Sequence, residues 1–321
     1  MEITSSTLSV LFTQADLRFQ SVLNATPVWS SGLASTIASG TGQNIYAWMD
    51  RIPAARQWVG QRVLNSMATH QRAVVNVPWE LTDYLLEEDV INDQFGIFNF
   101  NLTFMAQQMA KLPDQQIANY LLNNAASTAS APINGFDGVP LFSTAHPILG
   151  GGVAGGTPPG ASSTQSNLFV NTALSFDNYA AVRTAMMALL GADGKPLGIV
   201  PNLLVYPPQL EKTAKLILEA DFLPNTGGTA PQSNIYQNSA KGLMIPELAS
   251  APNRWYLFDT TKPVMPMIWQ TRTSPEFTYM IQPTDFNVFM TRQFVYGAKQ
   301  FAQVAESVWY VSAAATSDSS Y

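Results

Sequence analysis

From Arg72 to Thr82 the chain reads RAVVNVPWELT, so that Ala73, Val75, Val77, Trp79 and Leu81 alternate with Arg72, Val74, Asn76, Pro78, Glu80 and Thr82. Alternation at period 2 marks a strand that buries one face. The ten steps from Arg72 to Thr82, at about 3.3 Å each, span roughly 30 Å. Pro78 cannot donate to a ladder, which places the strand at an edge or in a two-stranded ribbon. Residues 56–67 (RQWVGQRVLNSM) supply an outgoing strand and Ala68–Gln71 a polar turn, so the segment reads as a hairpin. A hairpin alone is marginally stable in water. Its apolar face therefore needs a partner, either its own domain or a neighbouring subunit.

Composition suggests that much surface is buried against partners. Charged residues make up 12% of the 321, about half the usual share near 25%. A free monomer normally keeps a charged surface for solubility. Here low charge accompanies 7 Trp, 17 Phe and 12 Met, and interface cores are enriched in aromatics and Met and depleted of charge. The net charge of −6, with no Lys in the first 110 residues and no cluster of cations, argues against a protein that coats nucleic acid. A container lined with neutral or acidic surface is not excluded by this charge. The absence of Cys excludes disulfides, thiolate metal sites and a Cys nucleophile, and agrees with a reducing cytoplasm. No run of 18 apolar residues is present to span a membrane, and MEITSSTLSVLF lacks the features of a signal peptide. No repeat of 20–50 residues is found.

Along the chain, Leu8, Leu11 and Phe12, then Phe19, Val22 and Leu23, stand at helical spacing, while Trp29–Gln43 is Ser/Gly/Thr-rich and reads as an arm or linker. After the ribbon and the acidic run Glu87-Glu88-Asp89 with Asp93, residues 94–126 place Ile97, Phe98, Leu102, Met105, Met109 and Leu112 on one helical face. Pro113 predicts a kink or two abutting helices, the second capped by Asp114. Residues 127–175 read as loop with a Gly/Pro/Ser tract from Gly150 to Ser163. From Phe176 the pattern turns α/β: a helix over 179–190, a turn at Asp193-Gly194, a strand over 202–206, a helix over 209–220, and short strands in 243–269. Aromatic-rich strands over 276–292 and 294–309 and a polar Ala/Ser end, expected to fray, complete it.

Candidate chemistry is sparse. His70 falls at the hairpin tip, and His146 lies in STAHP, near Ser143 but without the GxSxG strand–turn–helix context of a nucleophile. Glu87, Glu88, Asp89 and Asp93 lack EF-hand spacing, and acidic groups at a helix N-terminus have a plain macrodipole reading. GGGVAGG lacks the Lys-Ser/Thr of a phosphate loop. No catalytic, cofactor or metal residues are assigned, and no cofactor is expected.

Over Tyr46–Asn124 the sequence resembles the Mu-like phage major head subunit (gpT-type) family. The residues are Trp58-Val59-Gly60 and Arg62, Glu80 and Thr82, Asp89 and Asp93 leading to Gly96-Ile97-Phe98, then Pro113-Asp114, Asp137-Gly138, Leu141-Phe142 and His146-Pro147. Gly194–Val205 with Pro207-Pro208, and later Phe294, Tyr296-Gly297 and Trp309, extend it to nearly the whole chain. The resemblance implies an α+β major capsid protein fold of the Hong Kong 97 (HK97-like) type. Residues 1–50 would be an N-terminal arm, 51–91 the extended E-loop hairpin, 92–175 the peripheral domain with its spine helix, 176–268 the axial domain, and 269–321 the peripheral return and tail. It implies a structural subunit of a tailed bacteriophage rather than an enzyme. The subunit would form hexamers and pentamers of an icosahedral head around double-stranded DNA, assembled in the host cytoplasm and ending in the virion. Its partners would be copies of itself, separate scaffold and portal proteins and optional decoration proteins; DNA contact would be weak and non-specific, with no membrane. No coiled-coil segment precedes the arm, which points to a separate scaffold. The ribbon lacks Lys, so no Lys–Asn crosslink is expected there, and Glu87 stands where the family is expected to place a basic residue. The inter-subunit candidates are Trp58, Val75, Val77, Trp79 and Leu81, with Arg51, Arg56, Arg62 and Glu80 as polar rim. An encapsulin-type compartment of the same fold and a soluble hydrolase using Ser143 or the acidic run are the alternatives.

Overall fold

The computed structural model describes residues 5–49, 69–92, 95–125, 135–147, 164–191, 195–223 and 232–321. Helix α1 (Ser5–Ala25) comes first, then strands β1 (Ala34–Ala38), β2 (Gln43–Met49), β3 (Thr69–Val75) and β4 (Val77–Leu86), and helices α2 (Glu87–Ile91), α3 (Phe95–Ala110) and α4 (Leu112–Asn123). Helix α1, formed where the apolar residues stand at helical spacing, lies along α3 of its own chain. Its Leu8, Phe12, Ala15 and Phe19 meet Phe98, Leu102, Met105 and Met109 in one core. Phe12 and Phe98 stand 5.5 Å apart between ring centroids. Each large side chain buried there contributes about 1.5–3 kcal/mol to holding α1 on its own subunit.

The alternating segment is two strands, not one. β3 pairs antiparallel with β2, from Gln43↔Val75 to Met49↔Thr69. The expected polar turn at Ala68–Gln71 is thus already strand from Thr69, and the Ser/Gly/Thr-rich stretch holds β1 and the start of β2 rather than a linker. The predicted outgoing strand over 56–67 lies outside the described residues. Asn76 separates β3 from β4, and the inward face changes parity across it. Before it Arg72 and Val74 are buried; beyond it the sheltered side carries Trp79, Asp83 and Leu85. Period-2 reading cannot register such a one-residue slip, because a slip moves the whole apolar set to the other face.

The predicted division near Pro113 is present: α3 stops at Ala110 and α4 carries Pro113 in its first turn. Asp114 does not cap α4. Its carboxylate accepts from the backbone N–H groups of Ser30 (2.9 Å) and Trp29 (3.3 Å), fastening the turn that follows α1.

The next elements are the two-residue pair β5 (His146–Pro147) and β6 (Thr164–Gln165), then β7 (Leu168–Phe169), α5 (Phe176–Met187), β8 (Leu203–Tyr206) and α6 (Glu211–Leu218). The short β9 (Phe222–Leu223) and β10 (Gln232–Ser233) follow, then β11 (Lys241–Met244), β12 (Arg254–Phe258), β13 (Met267–Thr271) and β14 (Glu276–Met280). The chain ends with α7 (Phe286–Thr291), β15 (Gln293–Glu306) and β16 (Ser312–Thr316). The Asp193-Gly194 turn and the Gly150–Ser163 tract lie outside the described residues. The predicted strand over 276–292 is half right: β14 ends at Met280 and 286–291 is helix.

Two sheets result. In the first, β15 carries β4 along one edge and, end to end along the other, β14 and β13, with β1 parallel beyond β13. The second runs β11-β8-β12-β16-β7. The Ala/Ser end does not fray: all five residues of β16 are buried between β12 and β7. Side chains no larger than Ala or Thr let a strand with neighbours on both edges lie under packed helices. The Tyr321 ring sits beneath the Arg254 guanidinium, 4.0 Å from it, and its hydroxyl donates to the Leu121 carbonyl. One large core takes residues from Leu33 to Tyr321, so the second sheet is not confined to 176–268.

Candidate assembly surface

The β2–β3 ribbon rests on the first sheet by one row of side chains and shows the other row to solvent. Facing in, Val74 packs on Ile268 and Ala305, with Ile37 and Tyr46 beside them. Gln270, fully buried, acts as a clasp: its Nε2 donates to the Val74 carbonyl (3.0 Å) and Asn76 Oδ1 (2.7 Å), and its Oε1 accepts from the Tyr46 hydroxyl (2.8 Å). Asn76 in turn donates to Ser39 Oγ and the Thr41 carbonyl, each at 2.9 Å. Farther out, Arg72 Nη1 stands 3.3 Å from Glu306 Oε1, both side chains buried, and Tyr120 donates to Glu306 Oε2 at 2.9 Å. Burial pushes the Glu306 carboxyl up to about 7, against the pull of Arg72 and the Tyr120 hydroxyl and with help from Asp137. Burial and then Glu306 hold the Tyr120 phenol well above its usual range.

Facing out, Ile45 (61% exposed) and Val75 (58%) are the large apolar residues of the ribbon's free row among the described residues. Of the candidates from sequence, Val75, Val77, Glu80 and Leu81 are exposed. Trp79 is half-buried, packed against the large core with Nε1 donating 3.1 Å to the Ala302 carbonyl. Arg51, Arg56, Trp58 and Arg62 lie outside the described residues, as does Asp93.

The histidines do not make an active site. His70 lies in β3 opposite Trp48, not at a tip. His146 is fully buried and stacked on Trp309 at 4.2 Å. Its Nδ1 lies 2.7 Å from Asp137 Oδ2, and its Nε2 is shared between the Leu141 carbonyl (3.2 Å) and Asn167 Oδ1 (3.1 Å). Ser143, also buried, accepts from the Ala145 N–H and makes no bond to the imidazole. Glu87, Glu88 and Asp89 form the first turn of α2, and among the described residues no cluster of three or more His, Asp or Glu could hold a metal ion. Nothing in the sequence signals the Glu306 cluster. Glu306 and Arg72 are 234 residues apart, and only the paths of β15 and β3 bring them together.

A sequence profile of the family described as the Mu-like prophage major head subunit gpT matches residues 8–173, 152–248 and 246–319. The chain belongs to this family. The head subunit is 22% identical over 319 residues to the major capsid protein of Escherichia phage Mu, covering 99% of this chain and 76% of that protein. It is 20% identical to the Mu-like prophage FluMu major head subunit of Haemophilus influenzae, covering 97% and 73%. Its fold is similar to that in the procapsid of bacteriophage JBD30 (TM-score 0.59, 23% identity, 98% of this chain and 76% of that one). The JBD30 capsid is also similar (TM-score 0.53, 23% identity, 77% and 100%). The head subunit therefore has the HK97-like fold and serves as a tailed-phage major capsid protein, a structural role that disfavours the encapsulin and hydrolase alternatives.

Proposed function

We propose that the head subunit closes an icosahedral shell as hexamers and pentamers through rotational contacts between copies of itself, around double-stranded DNA that it touches weakly and non-specifically. Assembly would take place in the host cytoplasm, with scaffold and portal as separate chains and decoration proteins optional. The observation that carries this is the two-sided ribbon: its inner row is spent on its own sheet, and its outer row keeps Ile45 and Val75 in water. Exposed Val75, Val77 and Leu81, with Glu80 at the rim, would contact a neighbour, and Trp79 would anchor β4 to its own body. Arg51, Arg56, Trp58 and Arg62 belong to the same proposed contact through their charge and aromatic character. Each buried apolar contact contributes about 25 cal/mol per Å² before association costs.

The test compares the wild-type chain with Val75→Asp by sedimentation and electron microscopy. Closed shells from the wild type and only small oligomers from a folded variant are expected. A wild-type chain that stays single at every concentration would overturn the reading.

A further inference from the structure

The buried pair of His146 and Asp137 has no part in the assembly surface, yet its hydrogen bonds fix how many protons it holds. Asn167 decides the count. Its Nδ2 donates to the carbonyls of Leu141 (2.7 Å), Ser312 (3.1 Å) and Trp309 (3.3 Å). Its Oδ1 is therefore the acceptor, and it takes the Ser143 N–H at 2.9 Å. That oxygen and the Leu141 carbonyl both face Nε2 of His146, and neither has a hydrogen to give. Nε2 must carry one. Nδ1 faces Asp137 Oδ2 at 2.7 Å, so a hydrogen lies there as well. The pair thus holds one proton more than a neutral ring beside a carboxylate.

The surroundings suit a ring that is a cation. The Trp309 indole lies flat against it, 4.2 Å away at 4°, and an aromatic face attracts positive charge. Asp137 Oδ1 accepts from the Val139 N–H at 3.1 Å, which suits an anion. Both side chains are buried, so neither charge could stand without the other. A second carboxyl stands close by. A Cβ on Gly135 would meet Glu306 Oε1 and Asp137 Oδ1 alike, which puts the two within about 5 Å of each other. Beyond Glu306 come Arg72 from β3, at 3.3 Å, and the Tyr120 hydroxyl from α4. Cation, carboxyl, carboxyl and cation thus follow one another from Arg72 to His146. The segment between Gly135 and Pro147 is tied to this series. Its Phe142 N–H donates to the Asn124 carbonyl after α4, and its Ser143 carbonyl accepts from the Asn167 N–H before β7, each at 3.1 Å.

We infer that His146 and Asp137 form a proton-held lock, closed while the ring is a cation, that clamps the 135–147 segment between α4, β15 and the second sheet and loosens as the pH rises. Without the ring proton, Nδ1 and Asp137 meet as two acceptors, with the Glu306 carboxyl behind them. An opened segment lets the ring titrate like a free histidine, at about 6.5, so each pH unit above that value favours the open form about tenfold while the closed ring keeps its proton. The stabilisation is complete below about 6.5 and is lost progressively above it. The lock belongs to the single subunit and is independent of the shell reading.

The chain has two histidines, His70 and His146. NMR of labelled histidine ring nitrogens in the full-length, dissociated subunit therefore gives two sets of signals, which His70→Gln assigns. At about pH 7.5, where a free ring has lost a proton, His146 should carry hydrogens on both nitrogens. Amide exchange over 135–147, measured relative to β12, should rise about tenfold per unit between about pH 7 and 9. Asp137→Asn can turn a donor toward Nδ1 and so fits a neutral ring. It should leave one bare ring nitrogen at about pH 7.5 and abolish the extra rise in exchange. A bare ring nitrogen on wild-type His146 at that pH, or exchange over 135–147 that keeps pace with β12, would overturn the inference. These two wild-type measurements decide it even if Asp137→Asn does not fold.

Discussion

Glu306 offers the sharpest test of how the ribbon is tied down. Two effects oppose each other at its carboxyl: desolvation favours the neutral acid, while Arg72 at 3.3 Å and the Tyr120 hydroxyl favour the anion. Burial wins, and the group titrates at about 7 instead of 4.5. The folded state thus binds this proton more tightly than the unfolded chain. The stabilisation it brings is complete below the unfolded value and is lost as pH rises through about 7. With about 1.36 kcal/mol per pH unit, the loss between about pH 4 and pH 8 is about 3 kcal/mol. Glu306→Gln keeps an acceptor for Tyr120 and cannot ionise, so it removes this dependence.

Urea unfolding of dissociated subunits at about pH 4, 6 and 8 measures the difference directly. The variant should gain about 3 kcal/mol on the wild type from the lowest to the highest pH. A difference that stays constant, or one in which the variant loses ground as pH rises, would mean that Arg72 outweighs burial and the reasoning is wrong.

Two further changes probe the same region. A Cβ on Gly135 would collide with Glu306 Oε1, and Arg72 and Tyr120 hold that carboxylate where it is; Gly135→Ala should therefore cost about 1–3 kcal/mol in unfolding free energy, and a neutral result would show that the carboxylate is free to turn. Gln270→Met should strip the clasp of three hydrogen bonds at about 1 kcal/mol each and speed amide exchange in β3 relative to β15, whereas equal exchange in both strands would show that apolar packing alone holds the ribbon.

Much of the fold was legible because periodic patterns are local. The helical face through Phe98, Leu102, Met105 and Met109, the division near Pro113 and the strand before Pro207 needed only spacing and a breaker. What was lost depended on distant segments. Asp114 looked like a cap for its own helix, yet it serves the Ser30 turn, 84 residues upstream. The Ala run of β16 carried too little side chain to signal a strand, and its place in the sheet comes from β12 and β7 on either side. The break at Asn76 leaves the apolar alternation unbroken to the eye while its buried side changes. Of the proposed contact surface, the exposed row at Val75 was visible in the pattern. Helix α7 was not legible, because a six-residue helix flanked by aromatic strands reads as more strand.

The ribbon is attached mainly by contacts that depend on geometry rather than area. Val74 is its one fully buried apolar side chain among the described residues, whereas Gln270, Asn76, Arg72 and Glu306 all must meet partners at hydrogen-bonding distance. A buried pair such as Arg72–Glu306 adds little net stability but penalises a misplaced partner heavily. A slip of one residue in β3 would turn Arg72 outward, leave Glu306 without its cation and swing Val75 inward. The clasp therefore fixes which row of the ribbon faces away from the body more firmly than it fixes how strongly the ribbon is held. In a subunit whose outer row is proposed to lie on a neighbour, the direction of that row decides whether the contact can form at all.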